Sequence, residues 1–201
     1  MSTRFIRRAC CAAIALGLSG CSLWQGFMSE ESPATATFPT VVPAISALTQ
    51  PFNAFQHIHA EIENDRIETK TADFDAMVSA DRHSMKVALV ALGTTVWQID
   101  YDGMVITEER SEHVPQTMQA QYLLRDLAMV YWPKETLTTQ LKDWTITETN
   151  ASRAFFAPGD TAPTIEVTYE NGAAPMSTTG KALLVNHLHD YRLIIESSPV
   201  K

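Results

Sequence analysis

Hydrophobic and polar positions along this chain fall into two blocks of short strands separated by one helical stretch. In Phe55-Gln56-His57-Ile58-His59-Ala60-Glu61-Ile62 the apolar positions do not keep to one clean face. Residues 74–80 and 85–92 are better strand candidates. The second run is apolar on both faces apart from Lys86, as expected for a strand covered on both sides. Gly93-Thr94-Thr95 turns the chain into the alternating run 96–101. Asp102-Gly103 then reads as a two-residue hairpin, with 104–109 as the return strand. These pieces predict one antiparallel meander of roughly five strands.

The period then changes. Pro115 suits a first helical turn, and Leu123, Leu124, Leu127, Val130 and Tyr131 make one stripe at helical spacing. Trp132-Pro133 ends that helix, because a residue before proline avoids the helical region. Residues 134–141 predict a second, short helix with Leu137 and Leu141 on one face. Strands resume at 144–148, 153–156, 165–169, 182–185 and 191–196, with turns at Pro158-Gly159-Asp160 and Asn171-Gly172. The order of strands, helices and strands predicts an α+β fold, with the helices packed against one curved antiparallel sheet.

The amino terminus has a different character. Arg4, Arg7 and Arg8 precede an apolar run from 9 to 18, and Leu18-Ser19-Gly20-Cys21 follows. That order reads as a secretory signal over residues 1–20, too short to persist as a membrane-spanning helix. Residues 22–51 are rich in Ser, Thr, Ala and Pro, with prolines at 33, 39, 43 and 51. They read as a tether from Cys21 to a domain over 52–201, and the stretch around Leu48 and Phe52 reads as a short helix or docking segment.

Removing the signal leaves 181 residues, the size of one domain. It also removes three arginines, so 12 basic residues remain against 23 acidic ones, a net charge of −11. Such a chain does not seek nucleic acid or anionic lipid by charge. Cys10 and Cys11 leave with the signal, so no thiol beyond Cys21 is present for a disulfide or a zinc site. The fold must then rest on its core, and a hydrophobic content of 45% suffices.

The Leu-Ser-Gly-Cys stretch resembles the lipobox of bacterial lipoproteins, which implies acylation of Cys21. Ser22 is not the aspartate that retains such proteins in the inner membrane, so the resemblance points to the outer membrane, facing the periplasm. Leu92-Gly93-Thr94-Thr95, its following strand and the Asp-Gly hairpin resemble LolB of the LolA/LolB superfamily. Residues 125–133 and Asp190-Tyr191-Arg192-Leu193-Ile194-Ile195 resemble a family of LolB-like lipoproteins often encoded beside aryl polyene biosynthesis enzymes. The superfamily fold is a strongly curved sheet, an incomplete barrel, with helices plugging its concave face.

That likeness implies a hydrophobic cleft, with Met77, Val87, Leu89, Trp97, Ile99, Leu124, Leu127 and Tyr131 as candidate lining. The alternative is that the same side chains fill an ordinary core. Burying ten methylenes of a cargo chain would release about 8 kcal/mol before association costs. Leu92, with Gly93, matches the exposed leucine on a LolB turn that is implicated in delivery to the membrane. Ala91 stands where LolB has proline, so the turn need not protrude in the same way, and Leu92 reads rather as the last core residue of its strand. The implied partners are the outer membrane through the lipid, a hydrophobic small molecule or lipidated cargo, and a periplasmic carrier protein.

Other chemistry is sparse. His57/His59 and His187/His189 each place two rings on one face of a strand, without a third ligand, and predict no metal. Asp100 and Asp102 flank Tyr101, but Asp102 reads as a turn residue, and Glu108, Glu109 and Glu112 as a solvated face. Nucleophile elbows, zinc-binding helices and phosphate loops are missing from the sequence. The expectation is a binding or transfer lipoprotein without catalytic residues or cofactor, with a ligand-free scaffolding lipoprotein as the alternative.

Overall fold

The structure is a computed structural model that describes residues 44–62, 70–114 and 118–200; the signal, Cys21, the tether to residue 43 and Pro115 lie outside these. A 3-10 turn, Ile45–Ala47, leads into β1 (Phe52–Ile62), β2 (Lys70–Ala80), β3 (Met85–Ala91), β4 (Thr94–Tyr101) and β5 (Ile106–Arg110). Two helices follow, α1 (Ala120–Tyr131) and α2 (Lys134–Gln140). The second block is β6 (Thr145–Glu148), β7 (Ser152–Phe156), β8 (Ile165–Glu170), β9 (Gly180–Asn186) and β10 (Tyr191–Pro199).

All ten of these strands belong to one open antiparallel sheet in the order β5-β4-β3-β2-β1-β10-β9-β8-β7-β6. Each block is a simple meander, and the two join where β1 pairs with β10 from Ala54↔Pro199 to Ile62↔Tyr191. The chain is therefore mainly β. The expected α+β architecture, an incomplete barrel with helices plugging its concave face, is overturned by ten strands in one open sheet beside two short helices.

Alternation decides which face is buried. β1 buries Phe52, Ala54, Gln56, Ile58, Ala60 and Ile62 in strict period two. The register carries this set across the sheet, so Ile58 lies between Phe74 and Ile195, and Leu193 meets Leu184. Inward side chains from both meanders and from α1 form one contiguous core. The other face is exposed or half-buried. Met85–Ala91 conforms to this rule and is not covered on both sides, since Lys86 is exposed and Ala88 and Val90 are half-buried.

Helix α1 buries nine of its twelve residues, and polar side chains on three strands hold it. The Tyr169 hydroxyl donates to the Val130 carbonyl at 2.6 Å, and Tyr131 shares a 2.8 Å hydrogen bond with Ser197. The Arg153 guanidinium donates to the carbonyls of Met129 and Trp132, both at 2.9 Å, and to Glu148. These two carbonyls lie in the last turn and at the cap of α1, where backbone acceptors lack intrahelical partners. Burial pushes the phenols of Tyr131 and Tyr169 up to about 12, so both stay protonated donors at neutral pH.

Gln56 is a polar residue in this core. It is fully buried on the central strand, and neither amide atom has a hydrogen-bond partner among the described residues. An unpaired buried amide costs about 1–3 kcal/mol. Gln56→Met, which keeps the volume and removes the polar atoms, is expected to raise the urea midpoint by an amount worth roughly 1 kcal/mol. A lowered midpoint would show that the amide is satisfied in solution.

Candidate functional site

The connection from β3 to β4 is two residues long, because Ala91 pairs with Thr94. Leu92 has φ +51° and Gly93 φ +77°, so both central positions are left-handed, as a primed hairpin turn demands. Asn, Asp or Gly normally fill the first of these positions, and a leucine there bears a steric cost of roughly 1 kcal/mol. Leu92 is also 105% exposed, the most exposed large apolar residue described. It thus neither packs nor suits its backbone, and the reading of Leu92 as a core residue is excluded.

The Asp102-Gly103 hairpin departs from expectation. Four residues, 102–105, separate β4 from β5, so Met104 and Val105 stand outside the return strand. The Asp102 carboxylate accepts from the backbone N–H groups of Met104 (2.9 Å) and Val105 (2.7 Å), which holds the turn together. Met104 is 89% exposed and Val105 55%.

The predicted cleft residues separate into two groups. Met77 points out of the other face of the sheet, 47% exposed and opposite Phe55, so it lines no cleft. The period-two rule settles this, because Ala76 and Val78 are its inward neighbours. Val87, Leu89, Trp97, Ile99, Leu124, Leu127 and Tyr131 are all buried in the core.

A cavity of about 40 Å³ lies beneath α1, lined by Ile58, Phe74, Met118, Leu123, Leu127 and Tyr191 among others. Of the predicted set only Leu127 borders it; no local pattern singles out Met118 or Tyr191 for this wall. Its polar lining includes Asp126 and Tyr191, which are bound to each other. Asp126 accepts two hydrogen bonds from Arg125, at 2.8 and 3.0 Å, and one from the Tyr191 hydroxyl, which in turn accepts from Asn186 at 3.0 Å. Burial, followed by the Asp126 charge, holds the Tyr191 phenol well above its ordinary value.

Beside the cavity, the open edge of the sheet forms a groove of about 420 Å³ between β5 and the start of α1. Ile106, Glu108, Arg110, Gln119 and Gln121 line it, and Met118 and Gln119 border both spaces. Glu108, Glu109 and Glu112 are exposed, as expected, but Glu108 is also engaged. Its Oε2 accepts from the Trp97 indole at 2.8 Å and from Arg110 at 2.9 Å, while the guanidinium stacks 4.2 Å over the Trp97 ring.

The histidines serve the exposed face of the sheet. His57 Nδ1 lies 2.9 Å from Asp75, and His59 Nδ1 lies 2.7 Å from Asp73. Among the described residues no group of three or more His, Cys, Asp or Glu side chains is arranged to hold a metal ion. His187 and His189 sit in the turn after β9 rather than on a strand, and His187 pairs with Glu166 at 2.9 Å.

The hydrogen bond to Asp75 raises the pKa of His57 above 6.5, with help from the charges of Asp75, Asp73 and Glu196. A raised pKa means that this contribution to stability is complete below pH 6.5 and is lost as pH rises through the folded value. His57→Gln is therefore expected to flatten the pH dependence of the urea midpoint just above 6.5. An unchanged slope in the variant would remove His57 from the account.

A model of a family described as "Protein of unknown function (DUF3261)" matches residues 53–199. The chain belongs to the DUF3261 family. The match runs from the second residue of β1 to the last of β10, so the family's shared unit is the complete sheet with both helices. The Leu92 turn, the cavity and the edge groove all fall inside the DUF3261 unit, whereas Cys21 precedes it. No curated protein matches the chain.

Proposed function

We propose that this DUF3261 protein is an outer-membrane lipoprotein, anchored through Cys21 and facing the periplasm, that hands over a hydrophobic cargo. The observation that carries the reading is Leu92: an apolar side chain placed wholly in water, on a backbone conformation that disfavours it. Local strain with no packing return is characteristic of functional positions. The LolB-like features of the sequence support the same reading, since the resemblance places this leucine at the position of an exposed one in LolB.

The cavity refines the mechanism. About 40 Å³ holds no acyl chain, so the domain as it stands stores no complete cargo. Contact begins at the Leu92 tip, which is level with Asp73 and Phe74 on β2, because Val90 pairs with Asp75. Phe74 lines the cavity, so tip and cavity share one end of the sheet. Deeper entry requires Met118 and Leu123 to swing aside, a rearrangement that a flexible methionine allows. Release into a bilayer needs no energy source where the membrane binds the tail more strongly than the domain does.

The filled core favours a second reading, a ligand-free scaffold that docks a periplasmic or outer-membrane partner. Mass spectrometry of lipid extracts from the unacylated domain, together with mass analysis of the amino-terminal peptide of the full chain, separates the two. Acylated Cys21 with co-purifying amphiphile supports transfer. Acylated Cys21 without any captured amphiphile, even after incubation with vesicles, supports the scaffold. An unmodified Cys21 removes the lipoprotein reading altogether.

A further inference from the structure

Met104 and Val105 form a second exposed apolar tip, and it lies at the opposite end of the sheet from Leu92. β4 begins directly after the Leu92-Gly93 turn and ends directly before Asp102, so its eight residues set the two tips about 26 Å apart. We infer that the β4–β5 turn is the surface by which the domain rests on the phospholipid bilayer that holds its lipid anchor. This rests on the lipoprotein reading above.

Three features of that end argue for a bilayer. The chain enters the fold there. Ile45, just after the first described residue, packs against Gly103 in the turn, where an added Cβ would lie 3.5 Å from its side chain. The chain running back toward Cys21 therefore leaves the domain beside Met104. Two carboxylates of that end, Asp81 and Asp102, are also tied down by backbone N–H groups of their own turns. Asp102 is bound by Met104 and Val105, and Asp81, in the neighbouring β2–β3 turn, accepts from the N–H groups of His83 and Ser84. Both carboxylates stay ionised, and exposed Arg82 in the β2–β3 turn offsets one of them, so the contact with a bilayer falls to the two apolar side chains.

The third feature is a path. Ile106 follows Val105 and opens the edge groove, which runs past Glu108 and Arg110 to Met118 and Gln119, the residues shared with the cavity. A bilayer at Met104 thus meets one end of this groove, while Leu92 is held away from it, facing the periplasm from which a carrier approaches. Tethering makes a weak two-residue contact count, because the second binding event is intramolecular.

The absence of cysteine after Cys21 makes the test direct. Met104→Cys, Val105→Cys and Leu92→Cys are each made in the full lipidated chain and labelled with an environment-sensitive fluorophore. They are then reconstituted on phosphatidylethanolamine–phosphatidylglycerol vesicles. The expected result is a blue-shifted emission at 104 and 105 that nitroxide lipids quench, with a water-like, unquenched emission at 92. Flotation of the vesicles reports the anchor separately. Protein that floats while 104 and 105 stay water-like overturns the bilayer contact and leaves the lipoprotein reading standing. Protein that fails to float overturns both.

Discussion

Arg153→Leu is expected to lower the stability of the domain by about 3 kcal/mol. Arg153 is 1% exposed, and its guanidinium holds three acceptors at once: Glu148 on β6 and the carbonyls of Met129 and Trp132 at the end of α1. Leucine fills most of the volume but satisfies none of them. Removing one member of a buried ion pair costs about 3–5 kcal/mol. The lower end applies because the Glu148 side chain is 26% exposed and regains some water. For a domain of this size the loss corresponds to a fall in Tm of roughly 6–12 °C. Arg153→Lys keeps the charge and loses the fork, so it should fall between the two. A leucine variant within a degree or two of the parent would mean that the α1 carboxyl end finds other donors.

Leu92→Asn should move stability and function in opposite directions. Asparagine is favoured at a left-handed hairpin position, so the variant gains roughly 1 kcal/mol in a urea melt. The same change removes the exposed apolar tip, and cargo handover should drop by at least about tenfold if that side chain supplies about 1.4 kcal/mol of contact with the cargo. Trade-offs of this kind mark residues held for activity at a cost in stability. The readouts are the urea midpoint and the transfer of amphiphile from the unacylated domain to acceptor vesicles. Undiminished transfer in a stabilised variant would leave the leucine without a role.

Much of the strand order was legible because alternation is a local signal, and the second block of strands needed only small changes at its ends. β1 was obscured by two residues that break the usual code. Gln56 is polar and buried, and Phe55 is apolar and half-exposed, so the pattern blurs although the burial is strictly periodic. The same inversion misplaced Met77, whose hydrophobicity pointed inward while the register points it out.

The two turns around β4 exchanged their expected characters. Asp-Gly is the stronger hairpin sequence, yet it opens a four-residue turn stabilised by the Asp102 side chain. The tight two-residue turn falls on Leu-Gly, which no turn preference would select. The overall architecture failed for a different reason. One antiparallel sheet was expected, but the pairing of β1 with β10 joins residues far apart in sequence, and no local pattern reports that ten strands stay in an open sheet rather than an incomplete barrel plugged by helices. The cavity wall was hidden for the same reason, since Ile58, Met118 and Tyr191 converge only through that pairing.

The same pairing sets how the domain can be cut and extended. Ala54 faces Pro199, so the fold's first and last strands end side by side. A linker joining these positions would need only a few residues. A circular permutant opened at Leu92-Gly93 would keep every ladder except the β3–β4 connection. Conversely, any reporter fused after Val200 emerges beside the start of β1, where it would crowd that end of the sheet and leave the Leu92 end unobstructed.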